Sequence, residues 1–152
     1  MKTFNFKLRA LLRLKETKRE QALANFAASI QEVRKLEDSL HAAHNQYSSV
    51  LSVLHDHQKG VFKRDTIESL QNSLQLAQDS LNKTKLRLNQ AKDIESSRRM
   101  IFLDRDSQFK TILRLQEKQR EVHYFKENKK EQAELEDIIG SRFLFLRINE
   151  QV

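Results

Sequence analysis

Apolar side chains recur every seven residues along the first part of the chain. One row of such positions holds Leu12, Phe26, Val33, Leu40, Tyr47 and Leu54, with Arg19 as its exception. A second row, three residues further on, holds Lys15, Ala22, Ser29, Leu36, Ala43 and Val50. Two rows at this offset form one stripe on an α-helix, so the pattern predicts a long helix with a continuous packing face. The polar run around Lys15 predicts looser packing at that point.

The second part of the chain has its own seven-residue pattern. It begins with Ile67, Leu74, Leu81 and Leu88, accompanied by Leu70, Ala77, Thr84 and Ala91. Glu95 and Arg98 interrupt the stripe, and Phe102, Phe109 and Ile112 resume it. Past about residue 113 the apolar positions shift to Leu115, Val122 and Phe125, which predicts a stutter that relaxes any supercoil.

The two patterns are separated by the segment His55–Asp65. Gly60 is the only glycine before Gly140, and the chain contains no proline. Glycine reaches positive φ without a steric penalty, which suits a turn. Asp65 followed by Glu68 matches a capping box at the start of a new helix. The segment therefore predicts a chain reversal, and a single unbroken helix is the alternative.

These patterns predict one all-α domain over residues 1–152, a long antiparallel two-helix coiled-coil hairpin with an overhanging C-terminal helix. Its predicted parts are arm one at about 4–57, a turn at about 58–65, arm two at about 66–140 and a tail at 141–152. Gly140 and Ser141 are expected to end the second helix. In an antiparallel hairpin folded near residue 61, residue i faces about residue 122 − i.

Charge is distributed unevenly along this hairpin. The net charge is +7; residues 1–20 hold seven Lys and Arg against two acids, and residues 98–130 hold ten against five. Residues 131–152 hold two against five. The predicted pairing brings both basic blocks to the end that lies away from the turn. Such a basic, apolar-rich end suits binding to a protein ring or groove, to a membrane surface or to nucleic acid. The alternative is that its Lys and Arg residues only keep that end soluble.

Few residue combinations suit catalysis or metal binding. The absence of cysteine excludes disulfides and cysteine-bound metals. Two glycines far apart cannot form a phosphate-binding loop. Neither the pair His41 and His44 nor the pair His55 and His57 completes a four-ligand site. We therefore expect no catalytic residues, no metal and no cofactor. No signal peptide is expected, and no apolar run reaches the ~18–20 residues of a membrane span.

Two stretches resemble the FliJ family of flagellar type III export proteins. The first is Phe4-x-Phe6-x-Leu8-x-x-Leu11-Leu12-x-Leu14-Lys15-Glu16. The second is Tyr124-x-x-Glu127-x-x-Lys130-Glu131-Gln132-x-x-Leu135-Glu136-Asp137-Ile138. The hairpin with a glycine in its turn is also similar to that family.

The resemblance implies a non-enzymatic stalk, similar in shape to the γ subunit of rotary ATPases. Such a stalk binds the hexameric export ATPase and links it to the cytoplasmic domain of the membrane-embedded export gate. It also implies contacts with substrate-specific export chaperones. It further implies a cytoplasmic location, peripheral to the inner membrane at the flagellar base. Neither nucleic acid nor a small-molecule substrate is expected.

The residues implied as contacts fall into two sets. The ATPase-ring set is Phe4, Phe6, Leu8, Leu11, Leu12, Arg13, Tyr124, Glu131, Gln132, Leu135 and Ile138. The export-gate set is Leu70, Leu74, Ala77 and Leu81, for which simple packing within the hairpin is the alternative. Two further functions remain open. One is the equivalent stalk of a virulence-type secretion system, and the other is a generic coiled-coil adaptor with a basic tip for nucleic acid or anionic membrane.

Overall fold

Two long α-helices packed against each other make up the fold. The computed structural model describes residues 3–60 and 63–149. Helix α1 spans Arg9–Gln58 and helix α2 spans Arg64–Asn149, with 50 and 86 residues. The all-α helical hairpin is confirmed, and a single unbroken helix is wrong. Helix-forming Leu, Ala, Gln, Glu, Lys and Arg dominate both helices, and no proline interrupts them.

The first helix ends with a tightened turn. The Lys59 amide donates to the Asp56 carbonyl at 3.3 Å, and the Gly60 amide donates to the His57 carbonyl at 3.4 Å. These three-residue spacings satisfy carbonyls that have no partner further along the helix. No positive φ occurs in the described residues. The rest of the predicted turn includes residues 61 and 62, which lie outside the described residues.

The second helix begins earlier than the capping pattern predicted. The amides of Thr66 and Ile67 donate to the Lys63 carbonyl at 3.1 and 3.4 Å, so Lys63 stands just before the first turn. Asp65 therefore lies inside that turn, and its predicted role as the cap is wrong. Its carboxylate still stabilises the helix, because the positive end of the macrodipole is close by.

The chain divides into two compact units. The turn unit is Lys18–Arg105, and the terminal unit is Met1–Thr17 with Asp106–Val152.

In the turn unit, the two predicted stripes form the packing face. Val33, Leu88 and Ala91 form a small buried cluster, against which Leu36 and Leu40 pack. All stripe positions from Ala22 to Leu54 are buried or half-buried, as are those from Ile67 to Ala91. The predicted packing face is confirmed in this unit. Burial is modest because two helices cover only one stripe of each other.

Cross-helix contacts give the register of the turn unit. The Arg98 guanidinium donates to the Asn25 carbonyl at 3.2 Å. The rings of Phe26 and Phe102 stack with their centroids 6.2 Å apart. The predicted pairing rule places residue 25 opposite about residue 97 and residue 26 opposite about residue 96. The Asn25–Arg98 contact agrees with this register to within one residue, whereas Phe102 lies six residues beyond the position predicted opposite Phe26. The antiparallel pairing is therefore confirmed, and the predicted register is only approximate.

The predicted ends of the helices need correction. Helix α1 begins at Arg9 rather than near residue 4. Helix α2 runs through Gly140 and ends at Asn149, so the predicted tail is helical as far as it is described. Glycine costs only about 1 kcal/mol in a helix interior, and the good helix formers on both sides of Gly140 outweigh one such cost. The hydroxyl of Ser141, the other predicted stop, donates to the Asp137 carbonyl at 2.7 Å, within the helix.

The predicted stutter is also wrong. Leu115, Val122 and Phe125 are 37, 46 and 60% exposed. The half-buried positions past Leu115 are instead Gln116, His123 and Glu127, of which Gln116 and His123 continue the row of Phe109 at seven-residue intervals. The packing row therefore runs on without a shift, but polar residues occupy it, and the apolar pattern alone could not show this.

Candidate partner-binding surface

The first described residues form a non-helical segment that packs within the terminal unit. Phe6 is only 2% exposed, and its carbonyl accepts the Arg9 amide at 3.3 Å. The ring of Phe4 lies 6.4 Å from that of Phe6 and 5.7 Å from the imidazole of His123, between centroids. Residues two apart in an extended segment point to the same side, which allows both phenylalanines to pack together.

This segment and helix α2 share an aromatic cluster, namely Phe4, Phe6, His123 and Tyr124. His123 meets Tyr124 edge-on, with centroids 5.7 Å apart. Edge-to-face pairs at this separation are favourable. The cluster joins the beginnings of the two motifs that carry the family resemblance. Phe4 and Phe6, two members of the predicted ring-binding set, contact each other, and a third, Tyr124, is connected to Phe4 through His123. Phe6 is buried and Phe4 is half-buried, so these two serve packing within the chain, whereas Tyr124 is 41% exposed.

The first turns of α1 mix packed and exposed side chains. Leu11 and Leu12 are half-buried, whereas Leu8 and Arg13 are exposed. Lys15 occupies a packing position, and its ammonium donates to the Gln108 amide oxygen at 2.8 Å. A polar contact thus replaces apolar packing at the position where the sequence predicted looser packing of the helices.

Many of the exposed apolar side chains of the terminal unit lie at the end of α2. Residues Asn128–Asn149, called the bare segment below, are all exposed. The predicted ring contacts in this segment or just before it are Tyr124, Glu131, Gln132, Leu135 and Ile138. Four of them, Tyr124, Glu131, Leu135 and Ile138, follow one another at spacings of seven, four and three residues, which puts them on one face of a helix. Leu135 and Ile138 are 58 and 54% exposed.

Further exposed apolar residues of the bare segment were missing from the predicted site. They are Ile139, Phe143, Leu144, Phe145, Leu146 and Ile148, each at least 60% exposed. The run Phe143–Leu146 is the signal for them in the sequence, and it is far too short to span a membrane. A group of exposed apolar side chains without a partner in the chain is typical of an interaction site.

The net charge of the terminal unit is positive in residues 3–17 and 106–130 and negative in residues 131–149. Residues 3–17 hold four Lys and Arg against one acid, and residues 106–130 hold seven against four. Residues 131–149 hold two against four. Two of the charges form pairs along α2, Lys110 with Asp106 at 2.6 Å and Lys130 with Glu127 at 3.6 Å. In both pairs the lysine is exposed, whereas the acid is half-buried.

The predicted gate-binding residues lie in the turn unit, on its packing face. Ala77 and Leu81 are 5 and 7% exposed, and Leu70 and Leu74 are half-buried. Ala77 and Leu81 therefore offer almost no surface to a partner while the two helices are packed. The structure corrects the prediction for these two residues, because the spacing that suggested a docking face is that of the packing stripe.

The described residues contain no group of three or more His, Cys, Asp and Glu side chains arranged to hold a metal ion. His41 and His44 lie on α1, and both are exposed. Nδ1 of His57 lies 2.9 Å from the Val53 carbonyl oxygen. Among residues 3–60 and 63–149, neither helix contains a stretch that is apolar over the length a bilayer requires.

Comparison with known proteins gives no match to a family model, a curated protein or a solved structure.

Proposed function

We propose that the chain is a non-enzymatic stalk of the bacterial flagellar type III export apparatus, which binds the export ATPase ring and links it to the export gate. One observation carries this proposal. The residues of the second motif, Tyr124, Glu131, Leu135 and Ile138, form one face of α2, and the chain's own packing leaves that face exposed.

The bare segment has the physical properties of a helix that is completed by a partner. An isolated helix of this length is only marginally stable in water, and its Leu, Ile and Phe side chains gain by being covered. A groove between subunits of a ring would accept an amphipathic helix through anchors at i, at i+3 or i+4, and at i+7. Leu135, Ile138 or Ile139, and Arg142 have this spacing.

The basic parts of the terminal unit support the same proposal through association kinetics. Lys7, Arg9 and Arg13 are exposed near the start of the chain. Charges of one sign steer a partner of opposite sign and increase the association rate more than the affinity. We therefore propose that the ATPase surface that meets this unit is acidic.

The same proposal includes contacts with the export gate and with export chaperones. It also places the protein in the cytoplasm, at the inner-membrane base of the flagellum. Because Ala77 and Leu81 are buried, contact with the gate would use the half-buried Leu70 and Leu74 first. Binding at Ala77 and Leu81 would require the two helices to separate locally.

The decisive experiment measures ATP turnover by the hexameric export ATPase with and without the full chain. We expect stimulation by the unmodified chain and its loss for Leu135→Asp. Ala133→Asp is the matched control, because residue 133 is equally exposed but two positions away, on nearly the opposite side of α2. Leu11 and Leu12 are less suitable targets, since both are half-buried and a charge there would also disturb packing.

The proposal fails if the chain neither binds nor stimulates the ATPase ring. The same assay with the ATPase of a virulence-type system tests the equivalent stalk. The generic adaptor predicts instead that the chain binds DNA with an affinity that falls steeply as salt rises.

A further inference from the structure

The bare segment carries an ordered set of charges on its exposed apolar face. Glu131 stands four residues before Leu135, and Arg142 stands four residues after Ile138. Glu131 and Arg142 are eleven residues apart, and three turns of an α-helix take about 10.8 residues. An acid and a base therefore bracket two apolar side chains symmetrically along one face.

This order is complementary to itself when the direction of the helix is reversed. In an antiparallel pair of bare segments, Glu131 of each copy lies opposite Arg142 of the other, and Leu135 lies opposite Ile138. A parallel pair would place Glu131 opposite Glu131 and Arg142 opposite Arg142. The antiparallel arrangement has a two-fold axis, which is the commonest symmetry of protein dimers.

We propose that this face binds a second copy of the same chain, with the two bare segments antiparallel and two Glu131–Arg142 pairs closing the contact. Leu135 and Ile138 are more than half exposed, as is the neighbouring Ile139 at 66%, so they are open to a second copy. Glu131 also interacts within its own chain, and a carboxylate has lone pairs for more than one donor.

The charge of the segment favours a second copy over a lipid surface. Residues 131–149 contain four acids and two bases. Helices that lie on anionic membranes carry Lys and Arg beside their apolar face, and this segment has the opposite balance. This balance argues against a lipid surface, whereas the order of Glu131 and Arg142 is complementary to that of a second copy.

Such a dimer covers Leu135 and Ile138, which the proposed function assigns to the ATPase ring. Self-association would therefore hold the free chain in a form that cannot enter the ring. The dimer is measured on the isolated chain, so its existence does not depend on the proposed function. Loss of ATPase binding with an intact dimer, or the reverse, separates the two proposals.

The test is sedimentation equilibrium of the full chain over a range of concentrations, with charge-reversal variants. We expect a reversible dimer for the unmodified chain. Glu131→Arg and Arg142→Glu each place like charges opposite one another twice, and each is expected to raise the dissociation constant about tenfold or more. Arg147→Glu is the control, since Arg147 is exposed on another side of the helix, and it should leave the dimer unchanged.

Restoring the complementarity makes the test specific. An equimolar mixture of the Glu131→Arg and Arg142→Glu chains places the introduced arginine of one chain opposite the introduced glutamate of the other and should form a heterodimer. The double variant E131R/R142E should again form a homodimer. A chain that stays monomeric throughout, single variants that dimerise like the unmodified chain, or a mixture that does not associate would each overturn the proposal. Unchanged circular dichroism of all variants would show that the helix itself is intact.

Discussion

The ring of Phe4 lies 5.7 Å from the imidazole of His123, although the two residues stand far apart along the chain. This contact ties the non-helical start of the chain to α2 within the terminal unit. Phe6, two residues on, is the most buried hydrophobic side chain of the described residues at 2% exposure. The first motif therefore packs against the chain itself at its phenylalanines.

Phe6→Ala should release the segment before Arg9. Truncating a buried phenylalanine costs about 3–5 kcal/mol in a protein core, which exceeds what one short segment gains by packing. We expect the NMR signals of His123 to lose the ring-current shift caused by Phe4. Leu14→Ala is the control, because Leu14 is 49% exposed and should leave those signals unchanged. Unaltered NMR signals of His123 in Phe6→Ala would contradict the packing of this segment against α2.

Leu88 and Leu86 provide a matched pair for the packing of the turn unit. Leu88 is 6% exposed and belongs to the buried cluster, whereas Leu86 is 60% exposed two residues earlier on α2. Leu88→Ala should lower the free energy of unfolding by about 2–5 kcal/mol, and Leu86→Ala by less than about 0.5 kcal/mol. Urea titration followed by circular dichroism measures both. Equal losses would show that the stripe does not face α1.

Ser29 is the single buried polar residue in the described part of the chain, at 3% exposure, and its hydroxyl donates to the Phe26 carbonyl at 2.6 Å. That hydrogen bond is local to α1, and alanine has the higher helix propensity. Ser29→Ala should therefore change the thermal midpoint little or raise it slightly. Ser29→Leu should lower the free energy of unfolding by about 1–3 kcal/mol, since it overfills a position packed between the helices. A large loss in Ser29→Ala would mean that the hydroxyl has a partner across the interface.

Gly140→Ala should strengthen the end of α2. A Cβ placed on Gly140 meets no atom within 4 Å, and Gly140 has no positive φ to preserve. Alanine is favoured over glycine in a helix interior by about 0.5–1 kcal/mol. Amide hydrogen exchange around residues 136–146 should slow by a few fold, while exchange in the turn unit stays the same. Faster exchange in the variant would show that the helix is interrupted at this point in solution.

The seven-residue spacing was enough to predict the two helices and most of the packing face, and the glycine-bearing segment between the two patterns predicted the chain reversal. Helical periodicity is a local property, and apolar side chains such as Val33 and Leu88 gain free energy from burial in any fold. The position of the turn also predicted the antiparallel pairing, and the predicted register differs by one residue at Asn25–Arg98 and by six at Phe26–Phe102. The resemblance of the two motifs stays an expectation about function, to be tested with the ATPase.

Contacts between distant residues decided the rest. Gln116 and His123 occupy the packing row because the geometry of α2 continues past Phe109, whatever the polarity of the side chains that follow. Phe6 is buried because a non-helical segment folds onto the terminal unit, which no helical pattern could indicate. The bare segment is exposed because α1 and its preceding segment do not cover it. A pattern of apolar residues shows which side chains gain from burial, whereas the tertiary structure determines which of them find a neighbour in their own chain.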